Sequence, residues 1–255
     1  MKHVIPGPAG RLVVDDGGTD APVVFVHSLA GTSGHWSAQL EHLRRSRRAV
    51  AFDLRGHGRS EAPRNGDYAI TSVAADIDAV AVALGLERFA LVGHSMGGGV
   101  ALAYAGAHPE HVDRLLLLDP IGDGTQIPAA ATQPLLDGLE SAAYQETIEG
   151  YWDTITGPNV AVRERLLRDL RATSRKTVVE GFKAVPRFDP KPHLVRFRGP
   201  ALAVVTPSND YPFSIHRLKG GPPHRVVEGT GHCIQLDRPA EFNRILYQFL
   251  EGGER

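Results

Sequence analysis

Short apolar runs of strand length recur along this 255-residue chain, with segments of helical spacing between most of them, and this alternation limits the available folds more than any other feature. The runs are Val23 to Val26, Ala49 to Phe52, Phe89 to Val92, Leu115 to Leu118, Ala201 to Val205 and, shorter, Arg225 to Val227. They are nearly continuous in apolarity, which is the pattern of strands covered on both faces. The segments His35 to Arg44, Thr71 to Leu84, Met96 to Ala107 and Pro239 to Leu250 read as helices, the last with proline at a first helical position, where its missing N–H costs nothing. Strands alternating with helices predict an α/β protein with a doubly wound, mostly parallel sheet.

The alternation stops between Pro120 and Gly199. There Pro134 to Ile155, Val160 to Thr173 and Lys176 to Val185 read as helices, with Tyr144, Tyr151, Trp152 and Phe182 as apolar anchors and no strand. The expected organisation is therefore a core of residues 1–119 and 200–255 carrying an inserted helical lid, 120–199. Lys and Arg total 28 against 29 for Asp and Glu, so no basic footprint for nucleic acid is visible. The cluster Arg44, Arg45, Arg47 and Arg48 reads as a solvated helix end. With Cys233 the only cysteine, neither an intrachain disulfide nor a multi-cysteine metal site can form, which suits a reducing cytoplasm. Pro6, Gly7, Pro8 and Gly10 interrupt the N-terminal stretch, and no apolar run reaches the roughly 20 residues of a membrane span. A cytoplasmic protein with no membrane partner is expected.

One serine stands out. Gly93-His94-Ser95-Met96-Gly97 lies between a predicted strand and a predicted helix. Glycine-rich phosphate loops use other spacings, whereas G-x-S-x-G suits a nucleophile on a tight turn, where crowding leaves no room for side chains two residues before and after it. A serine hydroxyl needs a base. His232, in Gly229-Thr230-Gly231-His232, falls between the last predicted strand and the last predicted helix, as a base coming late in the chain should.

Together with Val24-Phe25-Val26-His27-Ser28-Leu29-Ala30-Gly31, Trp36 and Asp53-Leu54-Arg55-Gly56-His57-Gly58-Arg59-Ser60, these stretches resemble the α/β-hydrolase superfamily over essentially the whole chain. The resemblance implies an oxyanion hole from the backbone N–H groups of Met96 and Leu29. The superfamily commonly has His-Gly where this chain has His27-Ser28, so Ser28 either adds a hydroxyl to the site or satisfies local backbone. Arg55 and His57 are implied to shape a turn, and His94 to pack or hydrogen-bond beneath the elbow. The carboxylate that orients the base follows one of two strands in similar proteins: Asp210 is the expectation here, Asp119 the alternative, and Asp123 a distant third. The implied activity is hydrolysis of a small carboxylic ester or lactone through an acyl-enzyme, with a small-molecule substrate, no metal and no organic cofactor. Carbon-carbon bond hydrolysis, cofactor-free perhydrolysis, or a small-molecule receptor with little turnover are the alternatives on the same scaffold. Specificity is expected to reside in the lid, with Trp152 and Tyr151 as candidate contacts. The sequence assigns no oligomeric state.

Overall fold

The computed structural model describes residues 1–252. Its strands are β1 (Lys2–Pro6), β2 (Arg11–Gly17), β3 (Pro22–Val26), β4 (Arg48–Phe52), β5 (Phe89–His94), β6 (Val112–Leu118), β7 (Ala201–Val205) and β8 (His224–Val226). The helices are α1 (Ser37–Leu43), α2 (Ile70–Leu84), α3 (Met96–Ala107), α4 (Ala129–Glu140), α5 (Tyr144–Ile155), α6 (Val160–Ala172), α7 (Arg175–Ala184), α8 (Lys191–Arg196), α9 (Ile234–Asp237) and α10 (Pro239–Leu250). All eight strands join one sheet in the order β1-β2-β4-β3-β5-β6-β7-β8, parallel from β4 to β8. The first two strands are antiparallel additions at one edge, and the sequence reading did not include them. The Pro6-to-Gly10 stretch that interrupts the N-terminus is their hairpin turn, closed by Gly7 N–H donating to the Gly10 carbonyl.

The continuous apolarity of the strands has a direct cause: each face of the sheet feeds a different core. Val24, Val26, Leu91, Leu115 and Leu117 point to the layer built with α2 and α3. Val23, Phe25, Val92, Leu116 and Leu118 point to the other, with Trp36, α1 and α10. Period-two alternation therefore buries every side chain from Val23 to Val26, from Phe89 to His94 and from Leu115 to Leu118, at about 1.5–3 kcal/mol for each large one. Because β3 is flanked by β4 on one side and β5 on the other, the winding reverses between β3 and β5. In open α/β sheets the crevice at the carboxyl ends of such a pair is where ligands bind. Leu29 follows β3 and Ser95 follows β5.

The segment between β6 and β7 is all-helical, α4 to α8. The expected Pro134-to-Ile155 helix is two helices, broken at Ser141, whose extended backbone and hydroxyl bond to the Gly138 carbonyl end α4. Leu139, Ile148, Trp152, Leu166, Leu170 and Val178 form a separate small core, whereas Phe188, Leu194 and Phe197 join the layer of α2 and α3.

The helical segment is also joined to the strand-rich part at the backbone. Ile155 C=O accepts from His232 N–H at 2.8 Å, and Gly157 and Gly231 are so close that a Cβ on Gly231 would sit 2.0 Å from the Gly157 nitrogen. Gly231→Ala is therefore expected to destabilise the fold by about 1–3 kcal/mol or more through that backbone clash. Gly150→Ala, in α5 with nothing within 4 Å of its Cβ position, is expected to stabilise by about 0.5–1 kcal/mol. Urea denaturation of the two variants checks both signs.

Candidate active site

Ser95 is the hinge between β5 and α3, and its backbone takes φ 55°, ψ −120°. That region costs a residue with a side chain about 1–3 kcal/mol unless its surroundings enforce it. They do: Ser95 N–H donates to Leu118 C=O at 2.9 Å, and Ser95 C=O accepts from Gly98 at 2.9 Å and Ile121 at 3.2 Å. The glycines two before and two after are required sterically, since a Cβ on Gly93 would lie 2.3 Å from the Gly97 oxygen and one on Gly97 2.3 Å from the His27 oxygen. The turn delivers the Ser95 side chain to the carboxyl end of the sheet.

Ser28, Leu29, Ser95, Met96, Trp152 and His232 all line one cavity of about 230 Å³, the remainder of its wall being mostly aliphatic and aromatic side chains from the helical segment. Tyr151 and Cys233 also line it. Burial pushes the Cys233 thiol up, so it stays protonated and unreactive at neutral pH.

Asp210 is not with them. Its carboxylate accepts two 2.6 Å bonds from Arg217 and one of 3.0 Å from His216, and the Arg217 guanidinium holds it far below the usual carboxylate range. The group beside His232 is Asp119, whose Oδ2 lies 2.6 Å from His232 Nδ1. Asp119 directly follows β6, the strand next to β5, with φ 41° turning its side chain out of the strand line. Its other oxygen accepts from Thr206 N–H at 2.7 Å, and the Thr206 hydroxyl lies 3.1 Å from both oxygens. Asn209, the residue before Asp210, spends its side-chain amide on Pro120 C=O. Asp123, buried, is taken by Thr125, Gln126 and Lys191. The expectation for Asp210 is thus corrected to its alternative, Asp119: the short turn at 215–217 places Arg217 where it captures the Asp210 carboxylate.

The two loops that frame Ser95 are held by neutral histidines. His27 Nε2 accepts from Leu54 N–H at 2.9 Å, so its Nδ1 carries the proton and donates to Ser28 C=O at 2.7 Å. Gly31 N–H also donates to that carbonyl. A trans peptide points its N–H opposite to its C=O, so the Leu29 N–H faces away from this bonded side. Beneath the elbow, His94 donates from Nε2 to His232 C=O at 2.9 Å while Gln235 contacts Nδ1 at 3.3 Å. The Asp53-to-Ser60 stretch is a built turn: Asp53 accepts from Ser33 and Arg59 N–H, Arg55 is locked on buried Asp76, and His57 lies 2.9 Å from the Arg55 carbonyl. None of these lines the cavity. One polar residue that does, and that sequence reasoning missed, is His35, bonded through Nε2 to Asp169 of α6 at 2.9 Å. Nothing in its local sequence distinguishes it from the other histidines.

Comparison with known proteins agrees with this architecture. A family model described as the alpha/beta hydrolase fold matches residues 21–151. The acetyltransferase component of the acetoin cleaving system from Cupriavidus necator is 27% identical over 92% of this chain, which spans 65% of that relative's length. The proposed carbamate hydrolase RutD of Agrobacterium fabrum is 28% identical over 91% of this chain and 94% of its own. Among solved structures, Est816, an N-acyl homoserine lactone degrading enzyme, superposes with a TM-score of 0.84 at 25% identity over 97% of this chain and all of that one. An esterase from Exiguobacterium antarcticum superposes with a TM-score of 0.87 at 23% identity, over 98% of this chain and all of that one. No helix among the described residues is long and apolar enough to cross a membrane.

The buried histidines set an acid limit on stability. Burial lowers His27 to about 3 and His57 to about 4 from an ordinary 6.5. The folded state therefore refuses protons that the unfolded chain accepts. Their stabilising contribution is complete above pH 6.5 and is lost as pH falls toward those values, each histidine adding about 1.4 kcal/mol per pH unit in that window. Denaturant midpoints at pH 7 and pH 5 should differ accordingly, and equal midpoints would contradict the neutral assignments.

Proposed function

The chain belongs to the alpha/beta hydrolase fold family, and on that premise we propose that it is a serine hydrolase of small carboxylic esters or lactones, with Ser95 as nucleophile, His232 as base and Asp119 as orienting acid. The observation that carries the reading is the 2.6 Å contact of His232 Nδ1 with Asp119, placed beside a serine on a strained turn in the same cavity. Asp119 accepts a hydrogen bond from His232 Nδ1–H, which keeps the proton on Nδ1 and leaves the Nε2 lone pair to take the proton of Ser95 Oγ as that oxygen attacks the carbonyl carbon. The carbonyl oxygen becomes an anion. It is received by Met96 N–H, at the positive end of α3, and Leu29 N–H. His232 then gives its proton to the leaving alkoxide as the bond to it breaks. Water, deprotonated by His232, attacks the acyl-enzyme, and the second collapse frees the acid and restores Ser95. From a lactone the alcohol stays attached, and the product is a hydroxy acid.

In this reading residues 120–199 act as the lid, its helices supplying most of the cavity wall, while Ser28 and Trp152 contact the substrate. The seam at Ile155, Gly157 and Gly231 holds the end of α5 beside His232, so the segment works as a roof fixed at that point. Similarity to Est816, 25% identical and lactone-degrading, supports keeping lactones in the substrate class.

Multiple turnover of 4-nitrophenyl butyrate or a small lactone is the test. Ser95→Ala should lower kcat by at least about 10⁴-fold and Asp119→Asn by about 10³–10⁴-fold. Asp210→Asn should stay within about threefold of the wild type, because its partners are Arg217 and His216. Tight binding with negligible turnover would instead indicate a receptor, and loss on Asp210→Asn with retention on Asp119→Asn would overturn the acid assignment.

A further inference from the structure

At the end of α3 opposite Ser95 a second group of polar side chains converges. Asp78 of α2, His108, which directly follows α3, and His111, which directly precedes β6, each present one donor atom, a carboxylate oxygen or a ring nitrogen. The three atoms lie within 4.8 Å of one another. Glu110 joins them, its Oε1 standing 3.7 Å from His111 Nε2 and 4.0 Å from His108 Nδ1. The length of α3, about 18 Å, separates this group from the elbow, so it has no part in the reaction.

The backbone fixes both histidines. His108 N–H donates to Tyr104 C=O at 2.8 Å, His111 N–H donates to His108 C=O at 3.1 Å, and His111 C=O accepts from Phe89 N–H at 3.0 Å. Tyr104 Oη lies 3.1 Å from His111 Nδ1, which occupies that nitrogen and leaves Nε2 for the side of Glu110. Burial pushes the Tyr104 hydroxyl up, and the charges of Asp78 and Glu110 push it the same way, so it stays protonated behind the ring. Neither Asp78 nor Glu110 is paired with a Lys or Arg among the described residues. The carboxyl end of α3 adds the negative pole of its dipole to the same place. Negative charge that no side-chain cation balances, edged by two imidazoles, suits a metal ion.

The donor types say which. Imidazole nitrogens with carboxylates suit zinc, nickel and copper, whereas magnesium and calcium take oxygen ligands. Four such donors bind zinc at about 2.0–2.2 Å, which puts neighbouring donors about 3.3 Å apart, so each side chain has to close in by less than about 1 Å. His108 and His111 are 40% and 37% exposed, which leaves an entry path and room for that rotation. We propose that Asp78, His108, His111 and Glu110 bind a divalent cation of the zinc class, with Tyr104 orienting His111 from behind, and that the ion ties α2 to the end of α3 and the loop into β6. The comparable trio Asp210, His216 and His224 is not a second site, because the Arg217 guanidinium already holds the Asp210 carboxylate at 2.6 Å. The proposal is independent of the serine-hydrolase reading.

Isothermal titration calorimetry with zinc chloride in chelator-free buffer tests it. One site with a Kd of about 10 µM or below is expected, and 100 µM zinc should then raise Tm by about 3 °C or more. His108→Gln and His111→Gln should each weaken binding at least about tenfold, and Tyr104→Phe by about tenfold. Asp78→Asn serves in the same way if a histidine variant does not fold. His224→Gln should leave the Kd unchanged, and magnesium chloride at the same concentration should give neither binding heat nor a Tm shift. No saturable zinc binding, binding that survives both His108→Gln and His111→Gln, loss on His224→Gln, or equal binding of magnesium would overturn the proposal.

Discussion

The hydrogen bond between Asp119 and His232 joins parts of the chain that are otherwise far apart, and the site depends on it. Asp119 directly follows one strand and takes a second set of bonds from Thr206, which directly follows the next. His232 arrives on the loop before the final helices, and its backbone is held from both sides: N–H by Ile155 of the helical segment, C=O by His94 of the elbow. Two strand ends, the helical segment and the turn at Ser95 thus converge on one imidazole. A ring fixed this way pays its ordering entropy on folding rather than during the reaction, which is the physical content of preorganisation.

The strain at Ser95 belongs to the same design. A φ of 55° persists because Leu118, Gly98 and Ile121 bond the residue on either side of the turn. Those partners come from β6, the start of α3 and the chain leaving Asp119. Asp119 and Ser95 therefore share their supporting backbone, and the two positions, both with positive φ, stand just past the ends of adjacent strands.

Much of this was legible in the residues. The β3, β5, β6 and β7 runs are continuous because two cores cover them, and that continuity is itself the signature of a parallel sheet. Gly93, Ser95 and Gly97 were legible because the crowding of the turn dictates their types. Asp210 against Asp119 was not decidable that way: both follow strands, and only the fold reveals that Arg217 and His216 bind the one and Thr206 supports the other. The N-terminal strands escaped notice because β1 is the exposed edge and lacks a continuous apolar signature, while β2 lies between β1 and β4 but carries only three consecutive apolar residues, Leu12 to Val14, with Arg11 before them and Asp15 and Asp16 after. His35 escaped for a different reason. Its side chain is held by Asp169, 134 residues away, and no local pattern encodes a partner at that distance.

The central claim is that Ser95 becomes acylated with His232 held by Asp119. A small phosphate triester such as diethyl 4-nitrophenyl phosphate, which traps activated serines, tests it through intact-protein and peptide mass spectrometry. The account predicts a single stoichiometric diethylphosphoryl adduct on the peptide containing Ser95, with release of one equivalent of nitrophenol. An unmodified protein, or an adduct on any other residue, would contradict it.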